Sequence, residues 1–305
     1  MYTQFFGLQV KPFNLTPNPQ FLYLSKTHRE VYAHLLYGVQ NRVGFIEVTG
    51  EVGTGKTTVL RTFLGELDPE EYRVALIFNP RLTVIELLRS INREFGLQGQ
   101  EETLSQLLDD LNQFLLEENH AGRIPVLVID EAQNLSGDVL EQIRLLSNLE
   151  TETEKLIQIV LAGQPELTQV LSRPELRQLN QRVAVRYRLT PLAPLDCREY
   201  ICHRLKVAGR PDAELFSPAA TRRVHRLTGG VPRLINLLCD RALLIGYANG
   251  IGRLTPREVS QASRELAQQP SGCRQYRLWW LTAAALGCAG VLGWFLNNGF
   301  SGIFQ

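Results

Sequence analysis

Cysteine and histidine are few in this chain and do not cluster. The cysteines are an odd number, with no Cys-x-x-Cys pair, at Cys197, Cys202, Cys239, Cys273 and Cys288. A disulfide framework needs paired cysteines, and a closed zinc site needs four neighbouring ligands. The spacing therefore argues against both, and it is typical of a protein in a reducing compartment.

An excess of charge of one sign is also missing. The 32 lysines and arginines nearly balance the 31 aspartates and glutamates. No global basic field therefore indicates nucleic acid as a partner. The first residues, MYTQFFGLQVKPF, lack the basic start and apolar run of a secretory signal, so residues 1–270 are expected to stay on the side of synthesis.

Short apolar runs alternate with helical patterns in residues 1–190. Strands are predicted at GFIEVTG, which ends at Gly50, and at 73–78, 124–129, 156–162 and 183–189. Helices are predicted between them at 28–41, from 56 onward, and at 84–96, 103–118 and 136–149. Continuous apolar strands that alternate with helices indicate an α/β domain whose parallel sheet is covered on both faces.

From residue 191 the pattern becomes helical throughout. Helices are predicted at 196–208, 217–227, 232–248 and 255–267. The residues predicted to cap them are Asp196, Ser217 and Thr255, of which the last two are followed by a proline. The expected organisation is an α/β domain (1–190), a small all-helical domain (191–268) and a linker (269–277).

The stretch GEVGTGKTT, residues 50–58, fits the phosphate-loop pattern G-x-x-x-x-G-K-[ST]. It follows a predicted strand and opens a predicted helix, so its N–H groups and the helix N-terminus would face an anion. Lys56 would reach the β- and γ-phosphates of ATP, and Thr57 would ligate Mg²⁺. The residues predicted to bind the nucleotide are Gly50, Glu51, Val52, Gly53, Thr54, Gly55, Lys56, Thr57 and Thr58. The alternative is a glycine-rich turn without a ligand.

A second signal is VLVIDEAQNL, residues 126–135, in which an apolar run is followed by two acids. Asp130 stands at the carboxyl end of the predicted strand, where it would hold Mg²⁺ together with Thr57. Glu131 is the candidate base for polarising the attacking water, which favours hydrolysis of ATP over transfer to a small acceptor. The alternative is that both acids belong to a solvated turn.

Three further positions extend the predicted site. Gln164 ends the run IVLAG, where its amide would lie near the γ-phosphate and the attacking water, unless it is a turn residue before Pro165. Arg182 precedes the last strand and would act as an arginine finger in a neighbouring subunit's site, with Arg177 as its competitor. The alternative is that either arginine is a surface charge. Arg233 begins a helix of the helical domain and would fold over the phosphates.

Residues 278–296, LWWLTAAALGCAGVLGWFL, contain no charged side chain. A helix of this length spans about 28 Å, close to the thickness of the hydrocarbon core of a bilayer. Tryptophans lie near both ends, and Arg274 and Arg277 precede the run, whereas the tail 297–305 has no basic residue. The pattern predicts a single transmembrane helix with residues 1–277 in the cytoplasm. The alternative is a buried helix of a soluble protein.

Together these motifs resemble the AAA+ ATPases, P-loop enzymes with a helical lid. The resemblance assigns Gln164 to the family's sensor 1 and the stretch 230–233, which ends at Arg233, to its sensor 2. It also places Asn79 where the family restrains the catalytic glutamate. The stretches VLVIDEAQNL, LAGQPEL, LNQRV and TGGVPRLINLLCDRALL, with the run before the phosphate loop, narrow the resemblance to the general secretion pathway protein A (ExeA-type) ATPases over residues 1–268.

This narrower resemblance implies a membrane-anchored ATPase of the bacterial inner membrane, with ATP and Mg²⁺ as cofactors. Such a protein would self-associate through its nucleotide sites and work with an inner-membrane partner to assemble or power a secretion, pilus or polysaccharide-export machine. Nucleic acid is not an expected partner. Because nine residues follow the apolar run, a member without the family's periplasmic peptidoglycan-binding domain is expected.

Two alternatives belong to other classes of protein. One is a DNA-linked ATPase of the transposition type, for which Arg222, Arg223 and Arg226 would provide a basic helix face. The other is a nucleotide-gated scaffold that binds ATP without turning it over.

Overall fold

A five-stranded parallel sheet forms the centre of the computed structural model, which describes residues 1–16, 18–78, 82–97, 103–151, 154–210 and 215–268. The strands lie in the order β2–β3–β4–β1–β5, and all neighbouring pairs are parallel. Their bounds are β1 Phe45–Gly50, β2 Tyr72–Ile77, β3 Ile124–Ile129, β4 Gln158–Gly163 and β5 Val183–Leu189. The predicted α/β fold with a parallel sheet is therefore confirmed, and the strand that enters the phosphate loop lies inside the sheet.

Helices cover both faces of this sheet. Along β3, Val126 and Val128 face one apolar cluster, whereas Leu127 and Ile129 face the other. The first cluster contains α2 (Lys26–Gln40) and α3 (Lys56–Glu66). The second contains α4 (Val84–Glu94), α5 (Leu104–His120), α6 (Gly137–Leu146), α7 (Glu166–Leu171) and α8 (Arg177–Arg182). Burial on both faces explains why β3 and β4 are continuous buried runs, whereas the edge strand β5 alternates between exposed and partly buried residues.

The residues after β5 form the predicted helical part. Its helices are α9 (Pro194–Val207), α10 (Pro218–Thr228), α11 (Pro232–Ala248) and α12 (Pro256–Gln268). The Ser217 hydroxyl accepts a hydrogen bond from the Ala220 N–H at 3.2 Å, as expected for a cap. The prediction of Asp196 as a cap is wrong, because α9 begins two residues earlier at Pro194. Proline suits that first position since its missing N–H would have no helical acceptor there.

The beginning of the chain packs with this helical part rather than with the sheet. The short helix α1 (Tyr2–Phe5) contacts α11. Five residues of the first 21 enter the helical core, namely Tyr2, Phe6, Leu8, Phe13 and Phe21. Residues from the start of the chain therefore share a core with the helices that follow β5. The predicted domain boundary at residue 190 stays a proposal.

Several predictions fall on residues outside the described ranges. They concern Asn79, the linker 269–277, the apolar run 278–296 and the tail 297–305. Within the described residues, no helix combines the length and apolarity that crossing a membrane requires.

Candidate nucleotide-binding site

The phosphate loop connects the end of β1 to the start of α3. Gly53 and Gly55 have φ values of +81° and +104°, which residues other than glycine rarely adopt. A Cβ on Gly53 would lie 2.8 Å from Cβ of Arg233, and one on Gly55 would lie 2.8 Å from Nε2 of His28. Two other elements therefore approach the loop so closely that both glycines are required.

The rest of the predicted loop surrounds the N-terminus of α3. Glu51 and Val52 are exposed, whereas Thr54 is buried and donates its hydroxyl to the Glu51 carbonyl at 2.8 Å. Thr58 lies in the first turn of α3 and lines the adjoining cavity. The unpaired N–H groups at this helix end provide an anion site.

The ammonium group of Lys56 lies inside the loop. Nζ donates hydrogen bonds to the carbonyl oxygens of Gly50 at 2.6 Å and Glu51 at 3.2 Å. Burial lowers the pKa of Lys56, and the nearby carboxylates of Glu131 and Asp130 oppose that shift. The Lys56 ammonium group therefore lies beside the N-terminus of α3. On nucleotide binding, phosphate oxygens would replace the backbone carbonyls as its hydrogen-bond acceptors.

The two predicted metal ligands are in direct contact. The Thr57 hydroxyl donates to Oδ2 of Asp130 at 2.6 Å, and Oδ1 of Asp130 accepts the Glu131 N–H at 2.9 Å. A hydroxyl and a carboxylate are hard oxygen donors that suit Mg²⁺, which usually completes its shell with water and phosphate oxygens. Thr57 and Asp130 are therefore the residues that would hold Mg²⁺. Among the described residues, no group of three His, Cys, Asp or Glu side chains could hold a metal ion.

Glutamine side chains hold the predicted base, Glu131. Its Oε2 accepts hydrogen bonds from Nε2 of Gln133 at 2.6 Å and from Nε2 of Gln164 at 3.2 Å. Oε1 of Gln133 in turn accepts the Gln164 N–H at 3.0 Å. Glu131 has φ +56°, an uncommon conformation for a residue other than glycine, which places its side chain at the end of β3. Gln133 was not predicted, although it lies within the motif VLVIDEAQNL.

A cavity of about 660 Å³ opens beside the loop, between the sheet and the helical part. The predicted residues that line it are Val52, Gly53, Gly55, Lys56, Thr57, Thr58, Glu131 and Arg233. The lining residues that were not predicted include Asn14, Leu15, Thr16, Asn18, Phe21, Leu22, Tyr23, His28, Tyr200, Arg204 and Asn236. The N-terminal segment is thus a wall of the cavity, and no local sequence pattern indicated this role.

Two arginines bring the helical part to the cavity. The backbone N–H of Arg233 donates to the Gly53 carbonyl at 3.3 Å, which places the start of α11 on the phosphate loop. Arg204 is buried in α9, and its Nε donates to the Pro12 carbonyl at 2.6 Å. Its guanidinium also lies 5.0 Å from the centre of the Phe21 ring, a cation–π distance. Arg204 therefore fixes the N-terminal segment against the helical part.

The candidate arginine fingers lie away from the cavity of their own chain. Nη1 of Arg182 donates to Oγ of Ser147 at 2.6 Å. Arg177 begins α8 and is exposed. Neither side chain is among the residues that line the cavity, and the arginine finger stays a prediction.

The chain is similar to several known proteins. Residues 40–171 match the family described as the AAA domain. Over 301 residues the chain is 48% identical to "General secretion pathway protein A" of Aeromonas hydrophila, in an alignment that covers 96% of this chain and 54% of the other. The chain thus spans about half the length of this curated relative.

Two solved structures show the same fold at low sequence identity. The ORC2 protein of Aeropyrum pernix, in ADPNP and ADP complexes, is 16% identical with a TM-score of 0.63, covering 84% of this chain and 72% of that one. The Drosophila ORC bound to DNA is 20% identical with a TM-score of 0.65, covering 88% and 66%. At these identities the likeness concerns the fold alone.

Proposed function

The chain belongs to the AAA ATPases related to general secretion pathway protein A, and we propose that it hydrolyses ATP to assemble or power an envelope machine. The machine would be one for secretion, pilus formation or polysaccharide export. The observation that carries the proposal is the contact of Thr57 with Asp130, because it joins the phosphate loop to the strand end that bears Glu131.

Each residue has a separate task in the proposed reaction. The loop N–H groups and Lys56 bind the phosphates and orient them, and electrostatic positioning of this kind provides most of the catalysis in phosphoryl transfer. Glu131 accepts a proton from the attacking water while Gln133 and Gln164 hold its carboxylate. Mg²⁺, held by Thr57 and Asp130, would neutralise charge on the phosphates.

Two substitutions test the proposed ATPase. Lys56→Ala is expected to abolish measurable ATP binding, and Glu131→Gln to retain binding while lowering kcat at least about a hundredfold. The matched controls are the exposed residues in Lys11→Ala and Glu94→Gln, which should leave both quantities unchanged. ATP hydrolysis at the wild-type rate by Lys56→Ala would exclude this mechanism.

We further propose that the apolar run 278–296 anchors the protein in the bacterial inner membrane, with the ATPase part cytoplasmic. The support is the length of the run, its tryptophans, and the basic residues Arg274 and Arg277 before it. The protein should therefore stay in the membrane pellet after alkaline carbonate extraction. Release by carbonate would refute the anchor and leave the ATPase proposal intact. An inner-membrane protein of the same machine is the partner proposed to receive the conformational signal.

The competing DNA-linked function would use the arginines of α10. Arg222 and Arg226 are exposed, whereas Nε of Arg223 donates to Oγ of Ser260 at 3.1 Å and so contributes to the packing of α12. ATP-stimulated binding to duplex DNA that weakens steeply with salt would favour that function. Its absence at low salt would favour the envelope machine.

A further inference from the structure

His28 connects the start of α2 to the phosphate loop. The side chain is buried, and its Nε2 lies 3.0 Å from the carbonyl oxygen of Thr54. Its Nδ1 lies 2.6 Å from Oγ of Ser25, the N-cap residue of α2. Because a carbonyl oxygen only accepts hydrogen bonds, Nε2 must carry the proton, and Nδ1 of the neutral ring then accepts the Ser25 hydroxyl. Ser25 thus fixes the tautomer that donates to Thr54.

The hydrogen bond to Thr54 fixes the direction of the next N–H group. The carbonyl of Thr54 and the N–H of Gly55 belong to one planar trans peptide, in which the two groups point in opposite directions. With the carbonyl held towards His28, the Gly55 N–H must point away from His28. Gly55 is the N-cap of α3, where N–H groups of a phosphate loop face the α- and β-phosphates.

The position of Gly55 makes this orientation depend on an outside contact. With φ +104°, Gly55 has the conformational freedom to turn its peptide, and a glycine loop alone does not select one orientation. The ring of His28 packs directly on Gly55. A Cβ added to Gly55 would lie only 2.8 Å from Nε2 of His28. The loop geometry is therefore set in part by α2, outside the motif itself.

We propose that His28 is a positioning residue for nucleotide binding, which holds the Thr54 carbonyl outward and thereby directs the Gly55 N–H to the β-phosphate. This inference rests on the proposed nucleotide site. It adds to that site a requirement for a hydrogen-bond donor at the position of Nε2. His28 does not touch the reacting atoms in this role, so its loss affects the binding of diphosphates and triphosphates rather than the hydrolytic step.

Two amide substitutions separate the donor from the bulk of the side chain. In His28→Gln the amide nitrogen reaches the position of Nε2 and restores a donor to Thr54. In His28→Asn the amide nitrogen reaches only the position of Nδ1, so the contact with Ser25 is kept and the bond to Thr54 is lost. Both variants place a neutral amide in the same turn of α2, which makes them matched controls for each other.

The dissociation constants of ATP, ADP and AMP should be measured by calorimetry for the full-length protein. We expect His28→Asn to weaken ATP and ADP about tenfold, which corresponds to about 1.4 kcal/mol. His28→Gln should bind both within about twofold of wild type. AMP lacks a β-phosphate, so its affinity should be the same in all three proteins. In turnover assays, His28→Asn should raise KM and leave kcat unchanged.

Several outcomes would overturn the inference. Wild-type affinity of His28→Asn for ADP would do so, and so would an equal loss in the asparagine and glutamine variants, since bulk alone would then explain the effect. If His28→Asn does not fold, Ser25→Ala gives a second test, because it removes the hydroxyl that fixes the tautomer. It should weaken ADP binding about threefold and Ser25→Thr should restore it. Unchanged ADP affinity in Ser25→Ala would contradict the role of His28.

Failure of the proposed function would give a different result. In that case the wild-type protein itself would not bind ATP or ADP in the presence of Mg²⁺. If wild type binds ATP and ADP normally and His28→Asn binds them equally well, only the inference about His28 is rejected.

Discussion

The hydroxyl of Thr57 donates a 2.6 Å hydrogen bond to Oδ2 of Asp130, 73 positions further along the chain. This contact joins the first turn of α3, which follows β1, to the end of β3, although β4 lies between β1 and β3 in the sheet. Thr57 and Asp130 are the residues that would hold the proposed Mg²⁺.

Asp130→Asn is expected to remove most of the Mg²⁺ dependence of ATP binding, because a neutral amide replaces the carboxylate. The affinity for Mg²⁺–ATP should fall at least about tenfold, while nucleotide binding in excess EDTA stays near the wild-type value. Titration of a fluorescent ATP analogue with and without Mg²⁺ measures both. Thr57→Ser, which keeps the hydroxyl, is the control and should bind normally; equal Mg²⁺ dependence in Asp130→Asn would reject the assignment.

Gln133→Ala is expected to lower kcat about tenfold without changing the affinity for ATP. The substitution removes the 2.6 Å hydrogen bond to Glu131 and leaves the base held by Gln164 alone. A general base contributes about a hundredfold to ten-thousandfold, of which correct positioning is a part. Steady-state ATP hydrolysis provides the measurement, with the exposed Gln113→Ala as control. An unaltered kcat would mean that Gln133 does not position the base.

Arg182→Ala is expected to lower ATP turnover at least about a hundredfold if Arg182 is the arginine finger. Mixing this variant with Lys56→Ala should restore activity. At a mixed interface, the Lys56→Ala subunit supplies Arg182 to the intact phosphate loop of the Arg182→Ala subunit. The same mixture made with Arg177→Ala decides between the two candidates.

A control is needed because Arg182 also donates to Ser147. Ser147→Ala removes that hydrogen bond and keeps the arginine, so its turnover should be close to wild type. Loss of activity in both variants, without restoration on mixing, would indicate a structural role for Arg182.

Arg204→Met is expected to release the N-terminal segment from the helical part. The substitution keeps the apolar stem but leaves the Pro12 carbonyl and the Tyr200 hydroxyl without their donor. We expect destabilisation by about 3 kcal/mol, since each buried polar group left unpaired costs about 1–3 kcal/mol. Limited proteolysis should cut the variant within its first 25 residues much faster than wild type. Equal cleavage rates would contradict this role.

The unfolding free energy should depend on pH through His28. Burial lowers the pKa of His28, so the unfolded state binds the proton more readily than the folded state. The stabilisation from the neutral side chain is then complete above the ordinary histidine pKa of about 6.5 and is lost as pH falls below it. Between pH 7.5 and 5.5, wild type should lose more stability than His28→Gln in urea titrations. Burial also lowers the pKa of His203, but that side chain is present in both proteins and cancels.

Periodicity and motif spacing predicted the strands, the phosphate loop and the two acids that follow β3, Asp130 and Glu131. Each of these features is encoded in a run of adjacent residues. The short helices α7 and α8 were not predicted, since each has six residues and shows too little of a helical period. The roles of His28 and Arg204 arise from contacts with residues far away in the sequence. The prediction of Asp196 as a cap was wrong because α9 begins at Pro194, whose missing N–H suits the first helical position.

The packing of α1 on the helical part has a consequence for biosynthesis. The hydroxyl of Tyr2 donates to Asp240, 238 positions later, so the residues of α1 are synthesised long before the residues they pack against. At translation rates of about 5–20 residues per second, the wait lasts roughly ten to fifty seconds. During that time the aromatic side chains Phe6, Phe13 and Phe21 have no helical core to enter. These aromatic side chains are therefore candidates for chaperone binding until α11 has been made.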